Sequence, residues 1–382
     1  MSFGVRFGAL VAALVGAFVI YASLERPGAT SAVQQGYRGT GQDIIYHNTA
    51  LADASAANQL PEEQPPVDPV GQKASEVYQN VQVLKDVDVG EFNRLMASMT
   101  AWVAPQQGCA YCHAEGQEFS ADTLYTKKVA RRMLQMTRHI NADWKSHVAE
   151  TGVTCYTCHR GQPVPSYVWF QNNGNEAARG PMGGHTGKNQ PSYAAGLASL
   201  PVDPFTPFLE NKADGENIRV ISTEALPNGD RRSIKQAEWT YSLMIHMSES
   251  LGVNCTYCHN SRAFFSWEQS SPARANAWYG IRMVRDLNET YLQSLQGTFP
   301  PNRLGVMGDV AKVNCLTCHQ GVFKPLLGAS MVKTYPELQT TQVSANATVA
   351  PAESAPAAEA PASVPAAPAT SAPAAPEAPA AK

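Results

Sequence analysis

Four short motifs of two cysteines and one histidine hold the residues of this sequence that are best suited to chemistry. They are Cys109-Ala-Tyr-Cys112-His113, Cys155-Tyr-Thr-Cys158-His159, Cys255-Thr-Tyr-Cys258-His259 and Cys315-Leu-Thr-Cys318-His319. Cys-x-x-Cys-His is the attachment sequence of haem c, in which both thiols bond to the porphyrin and the histidine is the proximal ligand of the iron. All eight cysteines lie in these motifs, so none remains for a disulfide.

Zinc binding and dithiol redox chemistry also use a Cys-x-x-Cys pair. A zinc site needs a second such pair, or two histidines at short spacing, to complete its four ligands. A redox dithiol needs no following histidine and occurs singly in its domain. Because four copies use every cysteine, we expect four covalently attached haem c groups.

The chain of 382 residues is long enough for two or three domains, and its formal net charge of -3 gives no sign of nucleic-acid binding. Residues 7–24 carry no charge, which predicts a transmembrane helix and a signal anchor over 1–24. The alternative is a signal peptide that is removed after export. In both cases the bulk of the chain is exported, as haem c attachment in bacteria requires.

Composition and repeats divide the rest of the chain. Residues 25–70 predict an extended strap, and 336–382, which are rich in Ala and Pro, predict a disordered tail. Between them we expect a first haem pair at 71–165, an irregular connector at 166–235 and a second haem pair at 236–335.

Similar sequence surrounds corresponding motifs in the two pairs. MTRHIN (136–141) matches MVRDLN (283–288), and GVTCYTCHRGQPVP matches KVNCLTCHQGVFKP. No run of alternating strands is visible. The sequence therefore predicts a mostly α-helical multihaem cytochrome with long irregular loops, an internal two-fold repeat of haem pairs and an N-terminal transmembrane helix.

An iron that only transfers electrons needs a second axial ligand, usually methionine or histidine. Amphipathic segments at 91–102 and 239–252 end just before the first and third motifs. Methionines on the apolar face of such a helix are often core residues. Here the helices end just before a haem motif, which favours ligation of the iron. The candidates are Met96, Met99, Met244 and Met247.

The segment 122–150 predicts one long helix before the second motif. Met133 and His147 lie on it within roughly 40° of one another and about 21 Å apart along the axis, so one helix can serve two irons. Met133 suits the second haem, and His147 is then free for another. The fourth haem needs a ligand because Gly280 stands where the repeat would place Met133, and Met307 is the alternative.

Several arginines are candidates for pairing haem propionates, the alternative being solvated charges on helix surfaces. They are Arg131, Arg132, Arg138 and Arg285.

The chain resembles the tetrahaem cytochrome subunit of purple-bacterial photosynthetic reaction centres over about residues 70–335. The resemblance rests on the four motifs and on ARRMLQMTRHINADWKSHV, IRMVRDLN and KVNCLTCHQG. In that family three haems have His/Met coordination and the fourth has His/His. The resemblance implies that Met96, Met133 and Met244 are ligands and that His147 ligates the fourth iron opposite His319. Some members have a lipidated N-terminal cysteine, which this sequence lacks.

The resemblance also implies the function. The haems would carry electrons from a soluble cytochrome c such as cytochrome c2, or from a high-potential iron–sulfur protein, to the photo-oxidised bacteriochlorophyll pair. That pair lies in the L and M subunits, with the H subunit and the light-harvesting complex nearby, on the periplasmic face of the photosynthetic membrane. The third haem would lie nearest the pair, followed by the fourth, second and first. Two alternative functions are disfavoured. A multihaem reductase would need an iron with an open position, whereas every iron here has a candidate sixth ligand. A free periplasmic electron shuttle would not need the anchor segment.

Overall fold

The structure is a computed structural model that describes residues 3–23, 29–171, 189–210, 218, 220 and 234–339. The prediction of a mostly α-helical fold with an apolar N-terminal helix is confirmed. The α-helices are α1 (Phe3–Ser23), α2 (Asn48–Ala57), α3 (Ala74–Val77), α4 (Val89–Val103), α5 (Tyr125–Asp143), α6 (Lys145–Val148), α7 (Cys155–His159), α8 (Thr206–Leu209), α9 (Ile234–Leu251), α10 (Pro272–Asp286) and α11 (Cys315–His319).

Short elements complete the described chain. The strands β1 (Thr30–Gln35) and β2 (Gln42–His47) form one antiparallel hairpin, and β3 (Asn189–Pro191) and β4 (Ser199–Pro201) form another. A π-helix spans Leu287–Leu292. The 3-10 turns are Gly108–Tyr111, Tyr193–Ala195, Cys255–Tyr257, Gln293–Leu295, Pro301–Arg303, Pro325–Gly328, Met331–Thr334 and Pro336–Leu338. Much of the predicted connector, at 172–188, 211–217, 219 and 221–233, lies outside the described residues.

Helix α1 contains 21 residues with a hydropathy of 2.2, and its side chains are exposed. In the part of the chain that the structure describes, it alone is long and apolar enough to cross a membrane. At about 1.5 Å per residue, such a helix matches the roughly 30 Å hydrocarbon core of a bilayer.

Residues 25–70 predict an extended strap, but the structure has a hairpin and a helix there. Strands β1 and β2 pair from Thr30↔His47 to Gln35↔Gln42, and α2 follows directly. Val33 lies opposite Ile44, a pairing of β-branched side chains that stabilises antiparallel strands. The expectation of an extended strap is therefore wrong for residues 30–57, whereas 58–70 contain no helix or strand.

The buried core consists of two clusters. The first is built mainly from α8, α9, α10 and the segment before the fourth motif, with buried side chains that include Leu209, Leu243 and Val310. The second is built from α4, α5 and the last turns of the described chain, and it includes Leu95 and Trp102.

The predicted disordered tail begins too early at residue 336. Leu338 is 0% exposed in the second cluster, and its carbonyl accepts a hydrogen bond from Asn141 Nδ2 at 2.9 Å. Tyr335 just before it packs edge-on against Trp102 with ring centroids 4.8 Å apart. Residues 336–338 therefore belong to the folded core, and 340–382 lie outside the described residues.

The prediction of one helix over 122–150 is wrong. Helix α5 ends at Asp143, Trp144 leaves the helical conformation, and α6 forms a separate single turn. The indole of Trp144 donates to Asp286 Oδ2 at 3.0 Å, so a contact with α10 competes with continuation of the helix. His147 therefore does not share the helical face of Met133.

Two asparagines hold the chain that enters the second and fourth motifs. Asn141 accepts from Val153 N at 2.7 Å and donates to its carbonyl at 2.9 Å. Asn288 accepts from Val313 N at 2.9 Å and donates to its carbonyl at 3.0 Å. Each valine stands two residues before the first cysteine of its motif, so the two asparagines make equivalent contacts.

A buried charged contact joins α5 to α10. His139 Nε2 lies 2.6 Å from Asp286 Oδ2, and His139 Nδ1 lies 2.7 Å from Asp143 Oδ2. Thr290 donates to the other Asp286 oxygen at 2.8 Å, and the Tyr291 ring lies 5.3 Å from the imidazole. Burial alone would lower the pKa of His139, but the hydrogen bonds and charges of the two carboxylates outweigh it and raise that pKa above 6.5.

We predict that this contact makes stability depend on pH. Because the folded-state pKa of His139 is raised, its contribution is complete below pH 6.5 and is lost as the pH rises through the raised pKa. His139→Gln should lower the unfolding free energy at pH 6 by about 3–5 kcal/mol, since buried Asp286 loses its cationic partner. Thermal unfolding against pH measures both effects. The matched control His47→Gln, on exposed β2, should keep the wild-type profile, and an unchanged profile in His139→Gln would contradict the prediction.

Candidate functional site

Each of the four motifs forms one turn of helix. The second and fourth are the helices α7 and α11, and the first and third contain 3-10 turns. In such a turn the residues at positions one, four and five lie on neighbouring faces, so both thiols and the imidazole point to one side. The turns of α7 and α11 end at Arg160 and Gln320, which both adopt the left-handed conformation with φ of 49° and 47°.

All four motif histidines are held in the same way. In each, Nδ1 lies at hydrogen-bond distance from a backbone carbonyl of the loop that follows. The pairs are His113 with Phe119 at 3.1 Å, His159 with Gln162 at 2.8 Å, His259 with Phe264 at 2.8 Å and His319 with Val322 at 3.0 Å. A carbonyl can only accept, so Nδ1 carries the proton and the Nε2 lone pair is available to a metal.

The protonation state of these rings also suits metal binding. Burial lowers the pKa of all four motif histidines, and that of His319 falls to about 4. The rings are therefore neutral at neutral pH, as metal ligation requires.

His147 faces the histidine of the fourth motif. The ring centroids of His147 and His319 lie 6.1 Å apart, and His147 Nδ1 lies 3.0 Å from the carbonyl of Asn276 on α10. His147 thus has the same tautomer as the motif histidines, and burial lowers its pKa as well.

The space that His147 occupies exists because residue 280 is glycine. A Cβ atom at Gly280 would lie 2.7 Å from His147 Cε1 and 3.0 Å from its Nδ1. Gly280 is the position at which the repeat would place a counterpart of Met133. The imidazole from α6 therefore fills the place of that missing side chain.

The separation of the two imidazoles fits an iron held between them. A metal–imidazole bond is about 2.0 Å long and the ring centroid lies about 1 Å further, so two imidazoles on one ion have centroids about 6 Å apart. The distance of 6.1 Å between His147 and His319 meets this requirement.

Two other histidines use both ring nitrogens in protein contacts. His139 lies between Asp143 and Asp286, as described above. Buried His246 has Nδ1 at 3.1 Å from Ala194 O and Nε2 at 3.2 Å from Ser250 Oγ. His47 is exposed on β2, and His185 lies outside the described residues.

The candidate methionines lie on the predicted helices. Met96 and Met99 are both half-buried against the second cluster, which also contains Cys155 of the second motif. Met133, Met244 and Met247 pack against the first cluster. Met307, the alternative ligand of the fourth haem, is 47% exposed.

The second and fourth motifs meet in the structure. Cys158 Sγ and Cys318 Sγ lie 2.8 Å apart. Burial raises the pKa of Cys155 and of Cys315 to about 12, which does not suit the reactive thiolate of a redox dithiol. Among the described residues, no three His, Cys, Asp or Glu side chains come together as a zinc site would need.

The four candidate propionate arginines differ in their surroundings. Arg138 is 6% exposed and donates to Val83 O at 2.8 Å, so it is not a solvated helix charge. Arg285 makes the matching contact from α10, donating to Phe208 O at 2.8 Å. Arg131 and Arg132 are half-buried; Arg131 pairs with Asp122 at 2.8 Å, and Arg132 donates to Ser294 Oγ at 3.0 Å.

The N-terminal hairpin supports the third motif, which the sequence alone did not indicate. The hydroxyl of Thr256 donates to Gln35 O and accepts from Gln42 N, both at 2.9 Å. Gln35 Oε1 also accepts from Asn254 N at 2.7 Å. Gly36 has a φ of 89°, and a Cβ atom there would collide with the Thr256 carbonyl, so the hairpin turn requires glycine.

Asn58, just after α2, supports the second and fourth motifs. It is 1% exposed, and its Oδ1 accepts from Leu326 N at 3.0 Å and from Arg160 at 3.1 Å. Its Nδ2 donates to Gln320 O at 3.1 Å. An asparagine after an alanine-rich helix has no local pattern that predicts these distant partners.

Comparison with known proteins gives one consistent result. The family model described as photosynthetic reaction centre cytochrome C subunit matches residues 25–339. The chain is 50% identical over 353 residues to the photosynthetic reaction center cytochrome c subunit of Rubrivivax gelatinosus, covering 92% of this chain and 94% of the relative. It is 49% identical to that of Thermochromatium tepidum, with 91% and 84% covered. It is 40% identical to that of Roseobacter denitrificans, with 88% and 93% covered.

We predict that Gly280→Ala displaces the His147 ring, because the added Cβ would lie 2.7 Å from Cε1. Overpacking of this kind should lower the unfolding free energy by about 1–3 kcal/mol. The low-spin bis-histidine signal in the electron paramagnetic resonance spectrum should weaken at the same time. Gly297→Ala is the matched control, since a Cβ there has no described atom within 4 Å. A spectrum unchanged by Gly280→Ala would show that His147 is not held against an iron.

Proposed function

This chain belongs to the photosynthetic reaction centre cytochrome c subunit family, and we propose that it re-reduces the photo-oxidised bacteriochlorophyll pair of the reaction centre. As a member of this family it is an electron-transfer component and not an enzyme. The observation that carries the proposal is the common state of the four motif histidines, each with Nδ1 bonded to a carbonyl and Nε2 left for a metal.

We propose one haem c at each motif, four in all. Bound haem c supplies one-electron exchange at its iron. The chain supplies two thioether sulfurs and one imidazole per motif. The loop carbonyls that accept from Nδ1 fix the direction of each imidazole before and after the electron moves.

The sixth ligand of the fourth iron is proposed to be His147. The distance of 6.1 Å to His319 and the close approach to Gly280 support this assignment. Met96, Met133 and Met244 are proposed for the first, second and third irons. Their support is the family resemblance together with their half-buried positions beside the two clusters.

We also propose that the core is a two-fold repeat of haem pairs. Asn141 and Asn288 make equivalent contacts ahead of the second and fourth motifs. Gly161 N donates to Trp102 O at 2.8 Å, and Gly321 N donates to Ser250 O at 2.9 Å, which are again matching contacts on α4 and α9.

Contacts between motifs support the order third, fourth, second, first. Tyr257 of the third motif packs against Phe323, just after the fourth, with ring centroids 5.5 Å apart. Cys318 of the fourth motif meets Cys158 of the second. The chain after the second motif contacts Trp102, which shortly precedes the first motif.

A short tether supports the choice of the third motif as the membrane end of this order. Ser23 ends α1 and Thr30 begins β1, so seven residue steps join them. At most about 3.6 Å is gained per step, which limits the span to roughly 25 Å. Because the hairpin is bonded to Thr256 of the third motif, a retained α1 keeps that motif near the membrane surface.

The proposed partners come from the family resemblance, and the order of the motifs suggests where each would bind. The third motif would face the L and M subunits, with the H subunit and the light-harvesting complex nearby, on the periplasmic side of the membrane. The first motif would receive electrons from a soluble cytochrome c or a high-potential iron–sulfur protein. Exposed Cys109 and exposed Phe119 leave this motif accessible to such a donor.

The assignment is tested by isolating the chain from its membrane. We expect detergent extraction to yield it together with L, M and H subunits, with four haems per chain by the pyridine haemochrome assay. N-terminal sequencing of the same sample should read from the start of α1. Recovery as a water-soluble protein without those subunits would exclude the reaction-centre assignment and favour a free shuttle.

We predict that His147→Met raises one midpoint potential only. Methionine ligation raises the potential of a haem relative to bis-histidine ligation. A spectroelectrochemical titration of the isolated complex should show one of four components moving to higher potential. His47→Met, on the exposed strand β2, should leave all four in place. Four unchanged potentials in His147→Met would refute the ligand assignment.

A further inference from the structure

Arg160 links the second motif to the fourth. It follows His159 directly, and its left-handed φ of 49° turns the side chain back across the motif. The guanidinium donates to Thr157 O at 3.1 Å, to Ala57 O at 2.8 Å and to Cys318 O at 3.3 Å. With the further bond to Asn58 Oδ1 at 3.1 Å, the group is fixed in one position.

The charge of Arg160 is not neutralised by these contacts. All four bonds go to neutral oxygen atoms, and none of its partners in the described part of the chain is a carboxylate. Burial lowers the pKa of Arg160, but a guanidinium keeps its charge in proteins. A fixed positive charge therefore stands in a half-buried site, where solvent screens it less than at the surface.

This charge lies next to two haem attachment sites at once. Cys158 Sγ and Cys318 Sγ are 2.8 Å apart, and Arg160 binds the carbonyl of Cys318 while it extends from the second motif. The junction where the two haem pairs meet thus contains a positive charge from the protein.

The equivalent position in the fourth motif is neutral. Gln320 follows His319, has the same left-handed conformation and donates to Thr317 O at 3.4 Å, as Arg160 donates to Thr157 O. The two residues share one backbone geometry and differ in charge. Of these two matched positions only Arg160 carries a charge, and Gln320 is its natural uncharged counterpart.

We propose that the positive charge of Arg160 raises the reduction potentials of both the second and the fourth haem. This inference rests on the proposed four-haem function. On oxidation an iron loses one electron and the site gains one positive charge. A nearby fixed cation disfavours the oxidised form by Coulomb repulsion, so it raises the potential. Arg160 acts on two neighbouring sites together, at the point where the electron crosses between haem pairs.

The test is a redox titration of the complete complex carrying Arg160→Gln, which copies the residue at 320. We expect two of the four midpoint potentials to fall and two to stay. Arg160→Lys retains the charge and should keep both potentials close to their wild-type values. Loss of packing alone would lower them in both variants. Lys85→Gln removes an exposed charge outside the motifs and should leave all four potentials unchanged.

Three outcomes would overturn the inference: no potential moves, all four move equally, or Arg160→Lys shifts them as far as Arg160→Gln does. Should Arg160→Gln assemble with fewer than four haems, Gln320→Arg carries the test. The added cation should raise the same two potentials, and an unchanged titration would overturn the inference. A wild-type complex with fewer than four haems would instead refute the proposed function.

Discussion

The structure depends on one hydrogen bond that is repeated at every motif, from a histidine Nδ1 atom to a backbone carbonyl. This bond selects the tautomer and orients the ring, so Nε2 remains free on the side of the two thiols. The accepting carbonyls lie in loops, and loops do not hold their own shape without support. Asn58 supports the loop after the fourth motif through Gln320 O and Leu326 N, while Asn141 and Asn288 hold the chain that enters the second and fourth motifs.

In the proposed two-fold repeat, the halves make equivalent backbone contacts and differ at a few matched positions. His139 and Asp286 correspond in sequence and meet each other between the halves. Met133 corresponds to Gly280, and the gap at the glycine is filled by His147 from the other half. Substitutions at matched positions thus create contacts that neither half makes by itself. They join the halves and make the sites unequal.

The sequence was most informative where chemistry is local. The spacing within each motif is contained in one helical turn, and the helices before the motifs followed from apolar periodicity. The break at Trp144 was not predictable, because it depends on a bond from the indole to Asp286 on another helix. The same holds for the hairpin, which lies more than 200 residues from Thr256, and for Asn58, whose bonds to Arg160, Gln320 and Leu326 span 102 to 268 residues.

The buried position of Leu338 has a consequence for how the chain reaches its final state. The second cluster contains Tyr335 and Leu338, which are among the last described residues. Meanwhile the N-terminal hairpin binds the third motif in the second half. A chain that crosses a membrane from its N-terminus emerges in sequence order, and domains usually fold as they appear. In the proposed periplasmic location, the second cluster closes only after residue 338 has been exported, and the hairpin completes its bonds only after the third motif has followed it, so the chain cannot finish folding in the order in which it emerges.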